Sequence, residues 1–257
     1  MKKRLVSDCG SADDIRTRYN RLSQHALRPS FLNGKLKRVA ADLRTEGYYS
    51  QYGQDRWIAE TVLPGKQAGV FVDVGAHDGV RFSNTLFLER QLNWTGLAIE
   101  PLVDVYERLV SNRTCATIRG CIAPTAGIGR FQAITGYGEM LSGLASERHP
   151  LHVRRIGREL RRYGGELNEV DVPCYRLADV LADHNIEHVD YLSIDVEGAE
   201  YSILNSLDFG RLSITVIGVE NNYQDPRLPE LLSSAGYEFH SIVGDEFYLK
   251  TNRCLCS

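Results

Sequence analysis

Acidic side chains stand at or near the ends of four apolar runs in this chain. Asp73 lies within the run at residues 69–74, and Glu100, Asp195 and Glu220 each end a later run. Continuous apolar runs are typical of buried parallel strands, and ligands of such sheets bind outside the carboxyl ends of the strands. Four carboxylates at one edge are costly unless a positive group lies among them. The spacing therefore predicts a ligand site with a cationic component at this edge.

The turn after the first run is typical of a nucleoside site. It reads Gly75-Ala76-His77-Asp78-Gly79, so His77 stands where a dinucleotide-binding fingerprint has its middle glycine. S-adenosylmethionine, which is cationic and has no phosphates, fits this turn better than a dinucleotide does. Gly75 would let the backbone approach the methionine moiety, Gly79 would turn the chain toward its helix, and Glu100 would accept from the ribose hydroxyls. The alternative is that the glycines only form a turn and Glu100 is a surface cap.

A second group of acids could activate a hydroxyl. Asp195 ends one strand and Glu220-Asn221 end the next, so we expect these side chains to be neighbours. Carboxylate and amide oxygens suit Mg²⁺ or a similar divalent ion, and such an ion would bind a substrate oxygen and lower its pKa. In the alternative, Asp195 contacts the methionine amine or the substrate directly and Glu220 caps a loop.

Two further residues are candidates for a catalytic base, because a hydroxyl is a poor nucleophile until it loses its proton. Glu197, two residues after Asp195, is the leading candidate if no metal acts. Acids in a first helical turn also stabilise the helix by about 0.3–1 kcal/mol, which is the interpretation we favour for Glu200. His77 could act as a base from the cofactor turn, although a histidine there more often orients the loop.

The elements that would position these residues alternate between strands and helices. Strands are predicted at residues 69–74, 96–100, 116–122, 170–174, 189–195 and 214–220, with helices near 84–91, 103–110, 176–183 and 199–207. This alternation predicts an α/β fold with a doubly wound, mostly parallel sheet. Two final strand-like runs, 237–243 and 247–251, are joined by Gly244-Asp245 and predict an antiparallel hairpin at the sheet edge.

An arginine-rich segment lies within a predicted lid insertion at about residues 135–168. Its arginines are Arg148, Arg154, Arg155, Arg158, Arg161 and Arg162. Helical spacing places Arg154, Arg158 and residues 161–162 on one face. Charge runs are usually solvated, which favours a solvated lid helix; the alternative is recognition of an acidic substrate such as a phosphorylated or uronic sugar.

Composition excludes several classes of protein. The 257 residues can form a large core without disulfides or metals, in one domain or two, and a net charge of −3 does not favour nucleic acid as a partner. The six cysteines include no CxxC pair, so no zinc site or redox pair is indicated. We expect residues 1–45 to form a helical or partly flexible extension and residues 46–257 to form the catalytic domain. Because no apolar stretch reaches a membrane-spanning length and no signal-type segment follows the first residues, a cytoplasmic location is expected.

Several motifs together resemble the FkbM family of S-adenosylmethionine-dependent methyltransferases. They lie at residues 50–55, 71–76, 83–85, 96–101 and 190–200, and the resemblance covers about residues 48–250. It implies a Rossmann-like, seven-stranded class I methyltransferase fold, with residues 50–55 as a flap over the cofactor. The predicted cofactor contacts are Gln54, Asp73, Gly75, Ala76, Gly79, Ser83, Asn84, Glu100, Pro101, Cys121 and Asp195.

The resemblance also implies O-methylation, often of sugars or of natural-product hydroxyls. The favoured function is therefore an O-methyltransferase that acts on a small-molecule or glycan acceptor, as a monomer or homo-oligomer. A nicotinamide-dependent oxidoreductase is the alternative, opposed by the missing middle glycine and by the acids after the later strands. A catalytically silent binding domain on the same fold is the third candidate, because a fold alone does not establish activity.

Overall fold

The computed structural model describes residues 46–251. The predicted extension at residues 1–45 lies outside the described residues. The strands are β1 (Val70–Val74), β2 (Thr95–Glu100), β3 (Ala116–Arg119), β4 (Cys121–Ile122), β5 (Gly127–Ile134), β6 (Gly143–Leu144), β7 (Leu167–Tyr175), β8 (His188–Ile194), β9 (Ser213–Val219), β10 (Tyr237–Val243) and β11 (Asp245–Lys250). The helices are α1 (Gln54–Trp57), α2 (Leu86–Leu92), α3 (Val103–Asn112), α4 (Pro150–Tyr163), α5 (Leu177–Asp183), α6 (Glu200–Asn205) and α7 (Arg227–Ser234).

The larger sheet of the described range has the order β10-β11-β9-β8-β1-β2-β3. The strands β9, β8, β1, β2 and β3 run parallel, whereas β11 is antiparallel to β9 and β10 is antiparallel to β11. The prediction of an α/β fold with a large, mostly parallel sheet is therefore confirmed.

The register of this sheet explains why the predicted acids meet. Val74 lies beside both Ile99 and Ile194, and Ile194 lies beside Val219. These residues form one row across four parallel strands. The next residues along the chain, which include Glu100, Asp195 and Glu220, therefore emerge together at the carboxyl edge.

Side chains on the two faces of the larger sheet pack into separate cores. On β1, Val72 and Val74 face a core that includes Ile203 of α6 and Leu232 of α7. Phe71 belongs to the opposite core with Trp94, Tyr191 and Phe247. Since side chains alternate along a strand, Asp73 points to the same face as Phe71.

A second sheet of order β4-β7-β5-β6 was not predicted. The predicted strand at 116–122 is interrupted at Gly120, where a Cβ would lie 2.5 Å from the ring of Tyr175 and 2.7 Å from the carbonyl oxygen of Pro173. The chain leaves the larger sheet there. The backbone of Cys121 in β4 lies beside that of Cys174 in β7, and the two strands run parallel. β5 and β7 form the long antiparallel ladder of this sheet.

The region predicted as a lid insertion contains ordered elements throughout. The chain forms a 3₁₀ turn at Gly136–Leu141, then β6, a second 3₁₀ turn at Ala145–Glu147, and the 14-residue helix α4. Among residues 46–251, none of the helices combines the length and the apolarity needed to cross a bilayer.

Candidate active site

A cavity of about 1020 Å³ opens at the carboxyl edge of the larger sheet. Its walls include the ends of β1, β2, β8 and β9, the 3₁₀ turn at Gly136–Leu141 and part of α4. The sequence-predicted residues that line it are Gln54, Asp73, Gly75, Ala76, His77, Ser83, Asn84, Glu100, Pro101, Cys121, Asp195, Glu197, Glu220 and Asn221. The cavity is large enough for a nucleoside cofactor and a small acceptor together.

Gly75 is held in a conformation that excludes a side chain. Its φ is +89°, and a Cβ at this position would lie 1.9 Å from the carbonyl oxygen of Asp195. The backbone N–H groups of Gly75 and Ala76 both donate to the carbonyl of Ile99, at 3.1 and 3.0 Å. The end of β1 is thereby fixed between the ends of β8 and β2.

Gly79 packs against α3 and Arg113 on the side of the turn away from the cavity. It is not a cavity-lining residue, in contrast to the prediction that it contacts the cofactor. Its φ is +77°, and a Cβ would lie 2.6 Å from Leu109 and 2.7 Å from the side chain of Arg113. Ser83 receives the following helix: its Oγ accepts from the backbone N–H of Leu86 at 3.1 Å. The helix begins at Leu86 and its N-cap position is Thr85, so the prediction of Ser83 as the N-cap of a helix from residue 84 was wrong, although Ser83 does accept from the first turn.

Asp73 belongs to a buried polar network beneath the turn. Thr85 donates its hydroxyl to Asp73 at 2.6 Å, and the Arg113 guanidinium lies 4.0 Å away. Arg113 also donates to Glu89 at 2.6 Å. Burial raises the pKa of Asp73, and the nearby Arg113 opposes that rise.

Glu100 is buried at the end of β2 with its side chain in the cavity. One carboxylate oxygen accepts from the backbone N–H of Leu102 at 2.9 Å. Burial raises the pKa of Glu100 to about 7, against the hydrogen bond from Leu102. The position fits an acceptor for two ribose hydroxyls, and its charge state changes near neutral pH.

A cluster of polar side chains lies at another part of the cavity wall. Gln54 and Asn84 both donate to Asp245, at 3.3 and 3.4 Å, and Asn84 also donates to Ser193 at 3.1 Å. The side-chain oxygen of Asn84 is buried and has no hydrogen-bond partner among the described residues. Burial raises the pKa of Asp245 to about 6. Asp245 was not among the predicted site residues, because its place in β11 connects to the cavity only through the folded sheet.

His77 contacts acids on the opposite side of the cofactor turn. Its Nε2 lies 3.0 Å from Glu139, which also receives a hydrogen bond from Arg108 at 2.8 Å. Burial lowers the pKa of His77, but the carboxylates of Asp78, Glu100 and Glu139 outweigh burial and raise it overall. His77 therefore links the cofactor turn to the 3₁₀ turn at Gly136–Leu141, which matches the orienting role weighed for it.

Three carboxylates meet where the predicted metal site was placed. Asp195, Glu197 and Glu220 each offer an oxygen, and these oxygens lie within 4.8 Å of one another. Burial and the neighbouring carboxylates of Glu197 and Asp245 raise the pKa of Asp195 well above its ordinary value. Burial and Asp195 do the same to Glu220. Two adjacent buried negative charges are costly, so a shared proton or a bound cation would stabilise this pair.

Glu197 is held by residues that the sequence analysis missed. The Nδ1 of the fully buried His152 lies 3.1 Å from Glu197, and the Arg155 guanidinium lies 3.7 Å away. His152 also contacts the hydroxyl of Tyr223 at 3.0 Å and, through Nε2, the carbonyl of Leu141 at 3.0 Å. Because a carbonyl only accepts, this Nε2 carries a hydrogen. Glu197 is thereby fixed in position between α4 and the loop after β8.

Asn221 and Glu200 have other partners. The side-chain oxygen of Asn221 accepts from the backbone N–H of Asp225 at 2.7 Å, and its amide donates to Glu246 at 3.0 Å. Glu200 accepts from the backbone N–H groups of Val196 and Gly198, at 3.1 and 3.0 Å, in the loop that precedes α6. Burial raises the pKa of Glu200 to about 7.

The fold and the site together define an α/β enzyme with a nucleoside-sized pocket and an acid cluster at the carboxyl edge of its sheet. A family model described as the Methyltransferase FkbM domain matches residues 73–239. The chain therefore belongs to the FkbM methyltransferase family, which transfers methyl groups and implies a methyl donor of the S-adenosylmethionine type.

Two curated proteins are similar to the chain. "Methyltransferase 1" of Beauveria bassiana (strain ARSEF 2860) is 29% identical over 178 residues, which cover 66% of this chain and 70% of that protein. "Methyltransferase sdnD" of Sordaria araneosa is 28% identical over 192 residues, which cover 65% of this chain and 73% of that protein. No solved structure matches the chain significantly.

Proposed function

We propose that this protein is an S-adenosylmethionine-dependent O-methyltransferase that acts on a hydroxyl of a sugar, glycan or natural-product acceptor. We further propose that its larger sheet is the Rossmann-like, seven-stranded sheet of a class I methyltransferase, closed by the β10–β11 hairpin, with residues 135–168 as a lid. The observation that carries the proposal is the presence of Glu100 and the acid cluster of Asp195, Glu197 and Glu220 in one cavity.

The cofactor would bind along the ends of β2, β1 and β8. Glu100 would accept from the ribose hydroxyls, while Gly75 and Ala76 would bring the backbone close to the methionine moiety. The amino group of the cofactor is a cation with three donors. It matches the buried side-chain oxygen of Asn84 and the carboxylate of Asp245.

Binding of S-adenosylhomocysteine should weaken about tenfold between pH 8 and pH 6. Because burial raises the pKa of Glu100 to about 7 in the free protein, the carboxylate must lose its proton before it can accept from the ribose, and affinity follows the ionised fraction. Calorimetric titration in two buffers of different ionisation enthalpy measures both the affinity and the protons released. The Glu100→Gln variant should bind more weakly and with a much flatter pH dependence. Wild-type affinity that is constant from pH 6 to pH 8 would assign the ribose contact elsewhere.

Methyl transfer would take place at the acid cluster. The acceptor oxygen forms a bond to the methyl carbon as the carbon–sulfur bond breaks, and the electron pair of that bond leaves on sulfur as a neutral thioether. The hydroxyl proton goes to a carboxylate. We assign this role to the pair of Asp195 and Glu220, because both line the cavity, their oxygens lie within 4.8 Å of each other, and burial raises the pKa of each, which favours uptake of a proton. Glu197, the base favoured by the sequence if no metal acts, contacts His152 and Arg155, and we therefore propose a positioning role for it.

The same cluster fits a hard divalent cation. Asp195, Glu197 and Glu220 would hold it through carboxylate oxygens, the donors that Mg²⁺ prefers. One buried oxygen of Glu197 lies 3.1 Å from His152 and 3.7 Å from Arg155, so a bound cation would compete with these two groups for it. When bound, the cation would supply positive charge beside the acceptor oxygen and lower its pKa. Asn221 is left out of this set, because its side-chain oxygen accepts a hydrogen bond from the backbone N–H of Asp225.

The test is transfer of a labelled methyl group from S-adenosylmethionine to a panel of hydroxylated acceptors, with the product analysed for a methyl ether. Dialysis against EDTA should lower kcat/KM for this transfer by about tenfold or more, and Mg²⁺ should restore it without a change in S-adenosylhomocysteine affinity. Full activity after chelation would exclude a role for the cation. Asp195 and Glu220 would then act only as acceptors of the hydroxyl proton. Hydride transfer with a nicotinamide cofactor in place of methyl transfer would reject the proposed function itself.

A further inference from the structure

Three arginines on one face of helix α4 line the cavity. Arg155, Arg158 and Arg162 line it, together with Glu197 and Glu220. Their spacing of three and four residues places them on one side of the helix. The sequence had grouped Arg154 and Arg161 with Arg158, but neither of those two lines this cavity. The difference arises because α4 is anchored by the buried side chains of His152 and Ile156.

The protein's own acids account for only part of this face. Arg155 lies 3.7 Å from Glu197, which places it at the acid cluster. Arg158 lies 3.6 Å from Glu159, its neighbour in sequence, and Arg162 lies over the ring of Tyr163 at 5.1 Å. Neither contact connects Arg158 or Arg162 to the acid cluster.

The charge pattern of α4 also differs from that of an ordinary solvated helix. The helix carries five arginines and one glutamate. Arginines at positions four apart, such as Arg154 with Arg158 and Arg158 with Arg162, repel one another and destabilise a helix. Runs of like charge are usually solvated, and the side chain of Arg158 is 68% exposed. Arg155, Arg158 and Arg162 nevertheless line the cavity with Glu159 as the one acid of α4 beside them, and this excess of positive charge is matched by an anion that enters the cavity.

The positions of the arginines along α4 indicate how far the anionic group of an acceptor would lie from its reacting hydroxyl. Each residue advances a helix by about 1.5 Å, so Arg158 and Arg162 lie roughly 5 and 10 Å further along α4 than Arg155. Since Arg155 lies at the acid cluster, a molecule whose hydroxyl lies at Asp195 and Glu220 would extend along this row. Guanidinium groups bind carboxylate and phosphate oxygens in paired, charge-assisted hydrogen bonds.

We propose that the acceptor carries an anionic group, a carboxylate or a phosphate, bound by Arg158 and Arg162 at the rim of the cavity. This group lies roughly 5–10 Å from the hydroxyl that is methylated. The position of the hydroxyl rests on the proposed function, whereas the anion subsite rests on α4 and the cavity.

Calorimetric titration of the full chain with glucose 6-phosphate, glucuronate and glucose tests the subsite, with and without bound S-adenosylhomocysteine. We expect at least one of the two anionic sugars to bind about tenfold or more tightly than glucose. The double variant Arg158→Gln/Arg162→Gln should bind all three sugars within about twofold of one another. The matched variant Arg154→Gln/Arg161→Gln removes the same charge from the same helix and should keep the preference. A phosphate source and a carboxylate source are distinguished by which sugar is preferred.

Equal binding of the three sugars by the wild type would overturn the subsite, and so would a preference that survives the Arg158→Gln/Arg162→Gln change. Equal loss of the preference in both double variants would also overturn the subsite, because the general positive charge of α4 would then explain the preference. Failure of the proposed function gives a different result. In that case S-adenosylhomocysteine does not bind, while the preference for anionic sugars is still measurable on the free protein.

Discussion

Replacing Asp195 with asparagine should lower kcat for methyl transfer by about 10²–10⁴-fold, the range typical of a lost general base. Asparagine keeps the shape of the side chain and removes the group that takes the hydroxyl proton. The change is not expected to impair folding. Since the pKa of Asp195 is raised by burial and by Glu197, its ionised form costs folding free energy, a cost that grows as pH rises through the folded pKa. The neutral amide should thus be as stable as the wild type, or more so, at pH 8.

The Asp195→Asn result is read from two measurements on the same variant. Affinity for S-adenosylhomocysteine should stay within about threefold of the wild type, because the proposal places Asp195 against the acceptor. A matched change, Asp208→Asn, alters an exposed carboxylate that pairs with Arg211 outside the cavity and should leave both quantities unchanged. If Asp195→Asn instead weakens cofactor affinity strongly and keeps kcat at saturating cofactor, Asp195 contacts the methionine amine, the alternative weighed from the sequence.

Replacing Gly75 with alanine should lower the free energy of unfolding by about 3–5 kcal/mol, as expected when strain and an unavoidable clash combine. The new Cβ would lie 1.9 Å from the carbonyl oxygen of Asp195, and φ there is +89°. The position of the Cβ is fixed by the backbone of residue 75, and its neighbour is a backbone carbonyl. No side-chain rotation relieves the contact, so β1 must move away from β8. Urea denaturation followed by circular dichroism measures the change.

Gly65→Ala separates backbone strain from the clash. Gly65 also has a positive φ, +72°, but a Cβ there would meet nothing within 4 Å. Its replacement should therefore cost only about 1–2 kcal/mol, the penalty of a left-handed residue. Equal losses in the two variants would show that the close approach of Gly75 to Asp195 does not constrain the fold.

The sequence was sufficient to predict the carboxyl edge of the larger sheet. Buried parallel strands read as unbroken apolar runs, and the parallel register then brings Glu100, Asp195 and Glu220 together without any further information. Gly75 was expected to admit a ligand. The structure adds that it also admits the backbone of Asp195, a contact between distant segments that no local pattern encodes.

The second sheet was missed because its strands carry a weak pattern. β5 contains two glycines and several exposed positions, and only Phe131 and Ile134 of its side chains are buried. β7 is exposed over its first five residues, and only residues 170–174 of it were predicted, as a strand of the mostly parallel sheet. β5 and β7 depend on each other for their pairing across the intervening residues 135–166, and not on local propensity.

The sequence favoured a solvated α4, and Arg158 and Arg162 are exposed, but the pattern did not show which arginines also line the cavity. One signal could have shown its orientation: His152, Ile156 and Leu160 recur every four residues and mark the face that packs inward. From that stripe, Arg155 and Arg162 fall at its border and not on the far side. The contact of His152 with Glu197 remained invisible, because it joins α4 to the loop after β8.

Calorimetric titration of the folded wild-type protein with S-adenosylhomocysteine, run beside NAD⁺ and beside the Glu100→Gln variant, tests the central claim most directly. We predict saturable one-to-one binding of S-adenosylhomocysteine, no binding of NAD⁺, and an affinity loss of about tenfold or more in Glu100→Gln, since each hydrogen bond to a charged group contributes about 1.5–3 kcal/mol. Absence of binding to S-adenosylhomocysteine, or unchanged affinity in Glu100→Gln, would contradict the placement of a methyl-donor nucleoside at this edge of the sheet.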